Sequence, residues 1–255
     1  MLKRVQHDGW GNSMARIGII GSKGRMGQAL VNAIADAGHE YSGGVDEGDQ
    51  PGPLAAQSDA LVDFSAPQAL AANLAAARVP GIPIVIGTTG LGHDHFAMIE
   101  EAAKVLPVIQ TGNTSLGVTL LAHLVREAAA RLDPSWDIEI VEMHHRRKVD
   151  APSGTAKLLG EAEAQGRGID LANNSESGRD GQTGARGEGA IGFAALRGGT
   201  VAGDHSVIFA GNEERITLSH LAENRAIFAH GAVKAAGWLI GKAPGRYTMS
   251  DVLGL

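Results

Sequence analysis

Apolar positions along the chain alternate between two spacings, and that alternation predicts most of the fold. Residues 16–20 make a short, mainly apolar run that stops at Gly21, as a strand buried on both faces does. Met26, Leu30, Ile34 and Ala37 then recur at helical spacing until Gly38 ends them. Further strands are expected at 41–45, 60–64, 82–86 and 108–110, with helices at 67–77 and 96–104 between them. Strands separated by helices are joined by right-handed crossovers, so this half predicts a parallel sheet.

After Asn113 the pattern changes. One long helix is expected over 116–132, carrying Leu120, Leu121, Leu124, Val125 and Leu132, followed by a strand at 138–143 and a helix at 156–165. Residues 173–189 are rich in Gly, Ser, Asp and Arg and poor in apolar side chains, which predicts a mobile or ligand-facing loop rather than regular structure. Three strands in series, 190–196, 205–209 and 215–220, are punctuated by Gly198-Gly199 and Gly211-Asn212 and read as an antiparallel meander. A last helix, 226–241, closes the chain. The expected class is α/β: an N-terminal parallel-sheet domain and a C-terminal α+β domain on a mixed, largely antiparallel sheet. Pattern alone does not assign the last helix to either.

Composition narrows the function classes. Net charge is −6, so no global basic field exists to hold nucleic acid or an anionic membrane. An anionic ligand must be met by local basic clusters. There are no cysteines, which removes disulfides, thiolate metal sites and cysteine nucleophiles together. No stretch approaches the roughly twenty apolar residues of a membrane span. Residues 1–13 carry Lys3, Arg4, His7 and Asp8 without an apolar signal core, and read as a polar extension, with Met14 a candidate alternative start. A cytoplasmic protein with no nucleic-acid or membrane partner is expected.

Two clusters carry chemistry. The first is Gly21-Ser22-Lys23-Gly24-Arg25-Met26-Gly27, between the first strand and the first helix. A dinucleotide site needs a tight turn there, backbone close to the pyrophosphate and a helix N-terminus aimed at the anion. Asp46 lies at the end of the second strand, where a carboxylate accepts from ribose hydroxyls. Glu47 beside it repels a 2′-phosphate, which predicts that NADH serves at least as well as NADPH, with Lys23 and Arg25 acting in the opposite direction. Two more strand ends face the same crevice: Gly87-Thr88-Thr89-Gly90 and Thr111-Gly112-Asn113-Thr114-Ser115.

The second cluster is His144-His145-Arg146-Arg147-Lys148-Val149-Asp150-Ala151-Pro152-Ser153-Gly154-Thr155, leaving one predicted strand and entering a helix. Ser153, Gly154 and Thr155 form a second anion site from backbone donors and hydroxyls. Among so many cations an imidazole is held toward its neutral form, and a lysine there is a candidate proton donor. Adjacent histidines on an extended segment point opposite ways, so they do different jobs. No Asp, Glu or Cys is spaced to complete a metal site with them, and no metal is expected. His93-x-His95 reads as a helix entry.

These two clusters, with Val85-Ile86-Gly87-Thr88-Thr89-Gly90, Glu142-Met143 ahead of the histidines, Gly192-Phe193-Ala194 and Asp251-Val252-Leu253, resemble the 4-hydroxy-tetrahydrodipicolinate reductase (dihydrodipicolinate reductase) family of the diaminopimelate route to lysine. The resemblance runs from Met14 to the C-terminus. It implies a Rossmann-like NAD(P)H-binding domain of residues 14–115, with the final helix packing back onto it so that 226–255 belong there too. It also implies a substrate-binding and oligomerising domain of residues 116–225, and a homotetramer. By motif position, His144 matches the family's general acid/base and Lys148 its proton donor. His145, Ser153, Gly154 and Thr155 match its carboxylate-binding set, and the substrate is a small dicarboxylate. Gly21, Ser22, Lys23, Gly24, Arg25, Met26, Asp46, Gly87, Thr88, Thr89, Thr111, Gly112, Asn113 and Thr114 match its nucleotide contacts. The stretch 48–56 is shorter than in many members, and Asp46-Glu47 lacks a following basic residue.

Overall fold

The computed structural model describes residues 14–255; the polar extension expected at 1–13 lies outside the described residues. The chain begins β1 (Arg16–Ile20), α1 (Arg25–Asp36), β2 (Glu40–Val45), α2 (Pro51–Ala56) and β3 (Ala60–Asp63). It continues through α3 (Leu70–Arg78), β4 (Ile84–Ile86), α4 (His93–Ala103) and β5 (Pro107–Gln110). Next come α5 (Leu116–Arg131), β6 (Asp137–His144), α6 (Gly154–Arg167), α7 (Leu171–Asn174) and β7 (Ser175–Ser177). It ends with β8 (Ile191–Arg197), β9 (Gly203–Ala210), β10 (Arg215–Ala222), α8 (Ala226–Leu239), β11 (Gly245–Tyr247) and α9 (Met249–Leu253). Two compact units result, one of residues 14–116 with 226–255 and the other Gly117–Arg225.

The first unit is built on a six-stranded, all-parallel sheet in the order β11-β5-β4-β3-β1-β2. Its inner strands are the continuous apolar runs of the sequence, and β3 and β4 have every residue buried. One sheet face is covered by Leu30, Ala33 and Ile34 of α1 and by Ala229, Ala232, Val233, Ala236 and Leu239 of α8. The other is covered by Leu54, Leu70, Leu74 and Ile99 from α2, α3 and α4. Helix α8 comes in close because of its small residues: a Cβ on Gly231 would lie 1.8 Å from the Thr114 carbonyl oxygen. The strand order reverses at β1, which places a crevice at the carboxyl ends of β1 and β3.

The second unit carries a five-stranded mixed sheet in the order β10-β9-β6-β8-β7. Ile138 and Ile140 of β6, Val207 and Phe209 of β9 and Ile191 of β8 pack on Leu121 and Val125 of α5 and Leu159 of α6. The three-strand meander is corrected. β9 and β10 form an antiparallel hairpin, but β8 lies beyond β6 and runs parallel to it. The cause is the 198–201 connection, which closes no turn with β9. Instead Gly198 N–H donates to His144 O (2.9 Å) and His145 N–H donates to Val201 O (2.8 Å), so the link crosses the end of β6. The stretch 173–189, expected as a mobile or ligand-facing loop, is regular in its first five residues and irregular over 178–189. It ends α7, adds β7 parallel to β8, and is strapped down by Arg186, which bonds Asp137, Glu139 and Ile138 O at 2.8–2.9 Å. Among the described residues, no helix is long and apolar enough to cross a membrane.

Candidate active site

In the first unit the strand ends stand in a row. Gly21 N–H donates to Val45 O (2.8 Å), Phe64 N–H to Ile20 O (3.0 Å), Gly87 N–H to Asp63 O (2.8 Å) and Thr111 N–H to Ile86 O (3.0 Å). The glycine loop is tight for local steric reasons. Gly21 has φ +87° and a Cβ there would meet the Phe64 carbonyl at 2.5 Å, while a Cβ on Gly27 would lie 2.3 Å from the carbonyl oxygens of both Gly21 and Ser22. Helix α1, twelve residues long, starts after Gly24 with no side-chain cap and no acidic residue in its first turn. Its first N–H groups and dipole are therefore left for an anion.

Asp46 closes this loop from the second strand. Its carboxylate accepts the Ser22 hydroxyl (2.7 Å) and the Lys23 N–H (3.0 Å). Burial is the largest single influence and raises its pKa, yet the Ser22 and Lys23 bonds and the Lys23 charge together hold it below the ordinary carboxylate value. The two threonine turns divide their work. Thr88 turns inward: its hydroxyl donates to buried Asp63 (3.2 Å) and accepts the Ser65 N–H (3.1 Å). Asp63 also takes the Ser65 hydroxyl (2.6 Å) and the Asn73 amide (3.0 Å). Thr114 Oγ1 donates to Phe228 O (2.6 Å), tying the fifth-strand turn to α8. Thr111 Oγ1 bonds Asn113 O (2.9 Å) and accepts Asn113 N–H (3.1 Å), rigidifying the turn that also holds Gly112. Gly87 packs over the Phe64 ring, leaving no room for a side chain.

In the second unit β6 alternates regularly in burial, which points Glu142 and His144 to the same, buried side. Glu142, 1% exposed, accepts His144 Nδ1 (2.6 Å), both Arg197 Nη atoms (2.8 and 2.9 Å) and Ser153 N–H (3.1 Å). Burial acts most strongly on Glu142 and raises its pKa, but the Arg197 and His144 bonds and charges outweigh it and leave the group below its ordinary value. Ser153 caps α6: its Oγ accepts Ala156 N–H (3.1 Å) and lies 3.0 Å from His205 Nε2. Burial, then the neighbouring His144 charge, pushes His205 down to about 4, so its ring is neutral near pH 7. The His144 and His205 rings meet edge to face at 5.1 Å.

His145 points elsewhere, as expected of adjacent strand residues, and its Nε2 lies 2.9 Å from Arg225 Nη2. Its pKa is lowered, by burial first and then by the Arg225 charge. Lys148 Nζ bonds both Asp150 oxygens (2.8 and 2.9 Å), and Asp150 O accepts Arg197 Nη2 (2.7 Å). Glu142 and Asp150 lie within the sequence motif without a role assigned there, and Arg197 and His205 are not among the candidates read from the sequence. A local signal exists for Glu142, two residues before His144. None exists for Arg197 or His205, which arrive by sheet register, opposite His144 and Glu142. Among the described residues no group of three His, Asp or Glu is placed to hold a metal ion. His95 Nδ1 accepts Gly92 N–H (3.0 Å) at the start of α4, the helix entry expected for His93-x-His95.

The family model described as dihydrodipicolinate reductase, N-terminus, matches residues 15–114, and that described as dihydrodipicolinate reductase, C-terminus, matches 117–253. A 4-hydroxy-tetrahydrodipicolinate reductase from Rhodopseudomonas palustris is 53% identical, covering 95% of this chain and 98% of its own. One from Bradyrhizobium diazoefficiens is 51% identical, covering 94% and 97%. Among solved structures, a dipicolinate-bound dihydrodipicolinate reductase from Paenisporosarcina sp. TG-14 superposes with a TM-score of 0.73 at 23% identity, covering 92% of this chain and 98% of that one. With both halves matched, the chain is an oxidoreductase that belongs to the dihydrodipicolinate reductase family.

Proposed function

We infer that this chain reduces 4-hydroxy-tetrahydrodipicolinate to tetrahydrodipicolinate in the diaminopimelate route to lysine. The observation that carries the reading is the turn after β6. There a buried, carboxylate-paired histidine (His144), a lysine (Lys148) and a Ser153-capped helix start stand within one connected network. A ring with carboxylates needs those groups together: donors for a carboxylate and proton donors near the ring.

A nicotinamide cofactor fits the first unit, because α1 leaves its first N–H groups uncapped and Gly21, Gly24 and Gly27 keep side chains away from them. When bound it would supply the hydride that, with loss of the 4-hydroxyl as water and uptake of one proton, balances the reduction. Gly21, Ser22, Lys23, Gly24, Arg25 and Met26 would hold its pyrophosphate side and Asp46 its ribose. The turns Gly87-Thr88-Thr89 and Thr111-Gly112-Asn113-Thr114 would line its nicotinamide side. The inward bonds of Thr88 and Thr114 mean that these two shape the turns through their hydroxyls, leaving backbone and Thr89 to face a ligand. The carboxylate of Asp46 and its neighbour Glu47 favour NADH at least as much as NADPH.

On the substrate side, His145, Ser153, Gly154 and Thr155 would take a ring carboxylate, with backbone donors at the start of α6 adding the helix dipole. Holding a carboxylate there fixes the reacting ring relative to His144 and Lys148. Lys148 Nζ would donate a proton to the reduced ring and His144 act as acid/base, each contributing about 10²- to 10⁴-fold. A homotetramer accords with the sheet face of the second unit opposite its helices, where Leu196, opposite Met143, and Leu221, opposite Asp204, are exposed. A cytoplasmic setting suits a soluble biosynthetic step.

The test is cofactor oxidation with substrate made in place from pyruvate and aspartate semialdehyde by its synthase. Oxidation of NADH, at a kcat/KM no lower than with NADPH, is the expected result. Protein that binds NADH and leaves it unoxidised in that mixture overturns the reading.

A further inference from the structure

The carboxylate behind His144 has a role that the motif alone does not assign. Glu142 is fully buried and ionised, and a carboxylate has no proton to give. The 2.6 Å bond to His144 Nδ1 therefore requires the hydrogen to sit on Nδ1. In the neutral ring this leaves Nε2 as the bare lone pair, on a residue that is 8% exposed. Gly203 packs against that atom without a side chain: a Cβ there would lie 2.9 Å from Nε2 and crowd it. Arg197 keeps the carboxylate charged by a two-pronged bond, and its Nη2 also reaches the carbonyl of Asp150, whose side chain holds Lys148. The Glu142 oxygen turned away from His144, shared with Arg197 Nη2, also takes the Ser153 N–H at the head of α6. One buried carboxylate thus touches the ring of the acid/base histidine and the backbone of the carboxylate-binding turn.

We propose that Glu142, clamped by Arg197, is a positioning residue that fixes the Nδ1–H tautomer of His144 and aligns its Nε2 with a substrate held at Ser153. This rests on the reduction inferred above. Arrangements of this kind, in which a buried carboxylate orients an imidazole by accepting its second N–H, act by holding ring and tautomer rather than by moving the proton themselves.

Two measurements test it. The first uses unmodified protein, labelled with ¹⁵N-histidine, with the His144 ring signals assigned by their loss in His144→Asn. The hydrogen is expected on Nδ1 across neutral pH, and a resting Nε2–H tautomer overturns the proposal whatever the substrate proves to be. The second is Glu142→Gln, which keeps an oxygen for Ser153 but turns an amide donor toward His144. It is expected to move the ring hydrogen to Nε2 and to lower kcat about 10²- to 10⁴-fold, the span of a misplaced general acid or base, with substrate KM and NADH affinity close to wild type. An unchanged kcat in folded Glu142→Gln, or a loss borne equally by NADH binding, overturns it. Failure of wild-type turnover would instead strike the proposed reaction, leaving the tautomer result standing.

Discussion

Glu163 should make this protein less stable as pH rises, and replacing it with glutamine should remove that dependence. The side chain projects from α6 into the core of the second unit, with 0% exposure and no hydrogen-bond partner for either oxygen among the described residues. Burial pushes its pKa up to about 8, against a smaller opposing pull from Arg167, so it is held protonated at neutral pH. The unfolded chain gives up the same proton near the ordinary value of 4.5. Between those values the folded state binds more protons, so the group's stabilising protonated form is complete below about 4.5 and lost as pH rises through about 8. At about 1.4 kcal/mol per unit of difference, the cost is roughly 3 kcal/mol at pH 7 and approaches 5 kcal/mol above pH 8. Glu163→Gln keeps the shape and carries no proton to lose. Urea unfolding of both proteins from pH 5 to 9 should give curves that converge at acid pH and separate by about 1.4 kcal/mol per pH unit toward pH 8, the variant being the more stable. Parallel curves across that range would refute a proton held on buried Glu163.

His205 gives the opposite acid limb. Its folded pKa of about 4 lies below the ordinary 6.5, so stability falls as pH drops from about 6.5 to about 4, by roughly 3 kcal/mol, and His205→Gln should flatten that limb in the same titration. Gly27→Ala places a methyl 2.3 Å from two backbone oxygens and forces the glycine loop open. Overpacking of that kind costs about 1–3 kcal/mol, and NADH affinity measured by calorimetry should fall about 10-fold or more, by 1.4 kcal/mol per decade. Arg186→Ala removes the strap from 173–189, leaving Asp137 and Glu139 without it. The amides of β7 and the start of β8 should then exchange with solvent faster, and a loss of about 1.5–3 kcal/mol is expected from hydrogen bonds to charged groups.

The parallel sheet was legible because each of its inner strands is an apolar run flanked by glycine and helix signals, and because helices alternate with β1 to β5 along the chain. β11 and α9 were not, being three and five residues long with no period to read. The placement of β8 was misread for a physical reason: glycines at 198–199 look like a hairpin turn, while the backbone there bonds to the end of β6. Of the candidate site, His144, Lys148 and the Ser153 turn lie on one continuous string, so the sequence alone proposes them together. Arg197 and His205 lie 55 and 52 residues from the groups they bond, and only the register of β6 against β8 and β9 brings them in.

The most direct test of the account compares His144→Ala and Lys148→Ala with the wild type in the coupled NADH assay, with NADH affinity measured on the same samples. The account predicts kcat falling about 10²- to 10⁴-fold in each variant, with cofactor affinity unchanged because the glycine loop lies in the other unit. Near-wild-type kcat in either variant, or cofactor binding lost in step with activity, would contradict it.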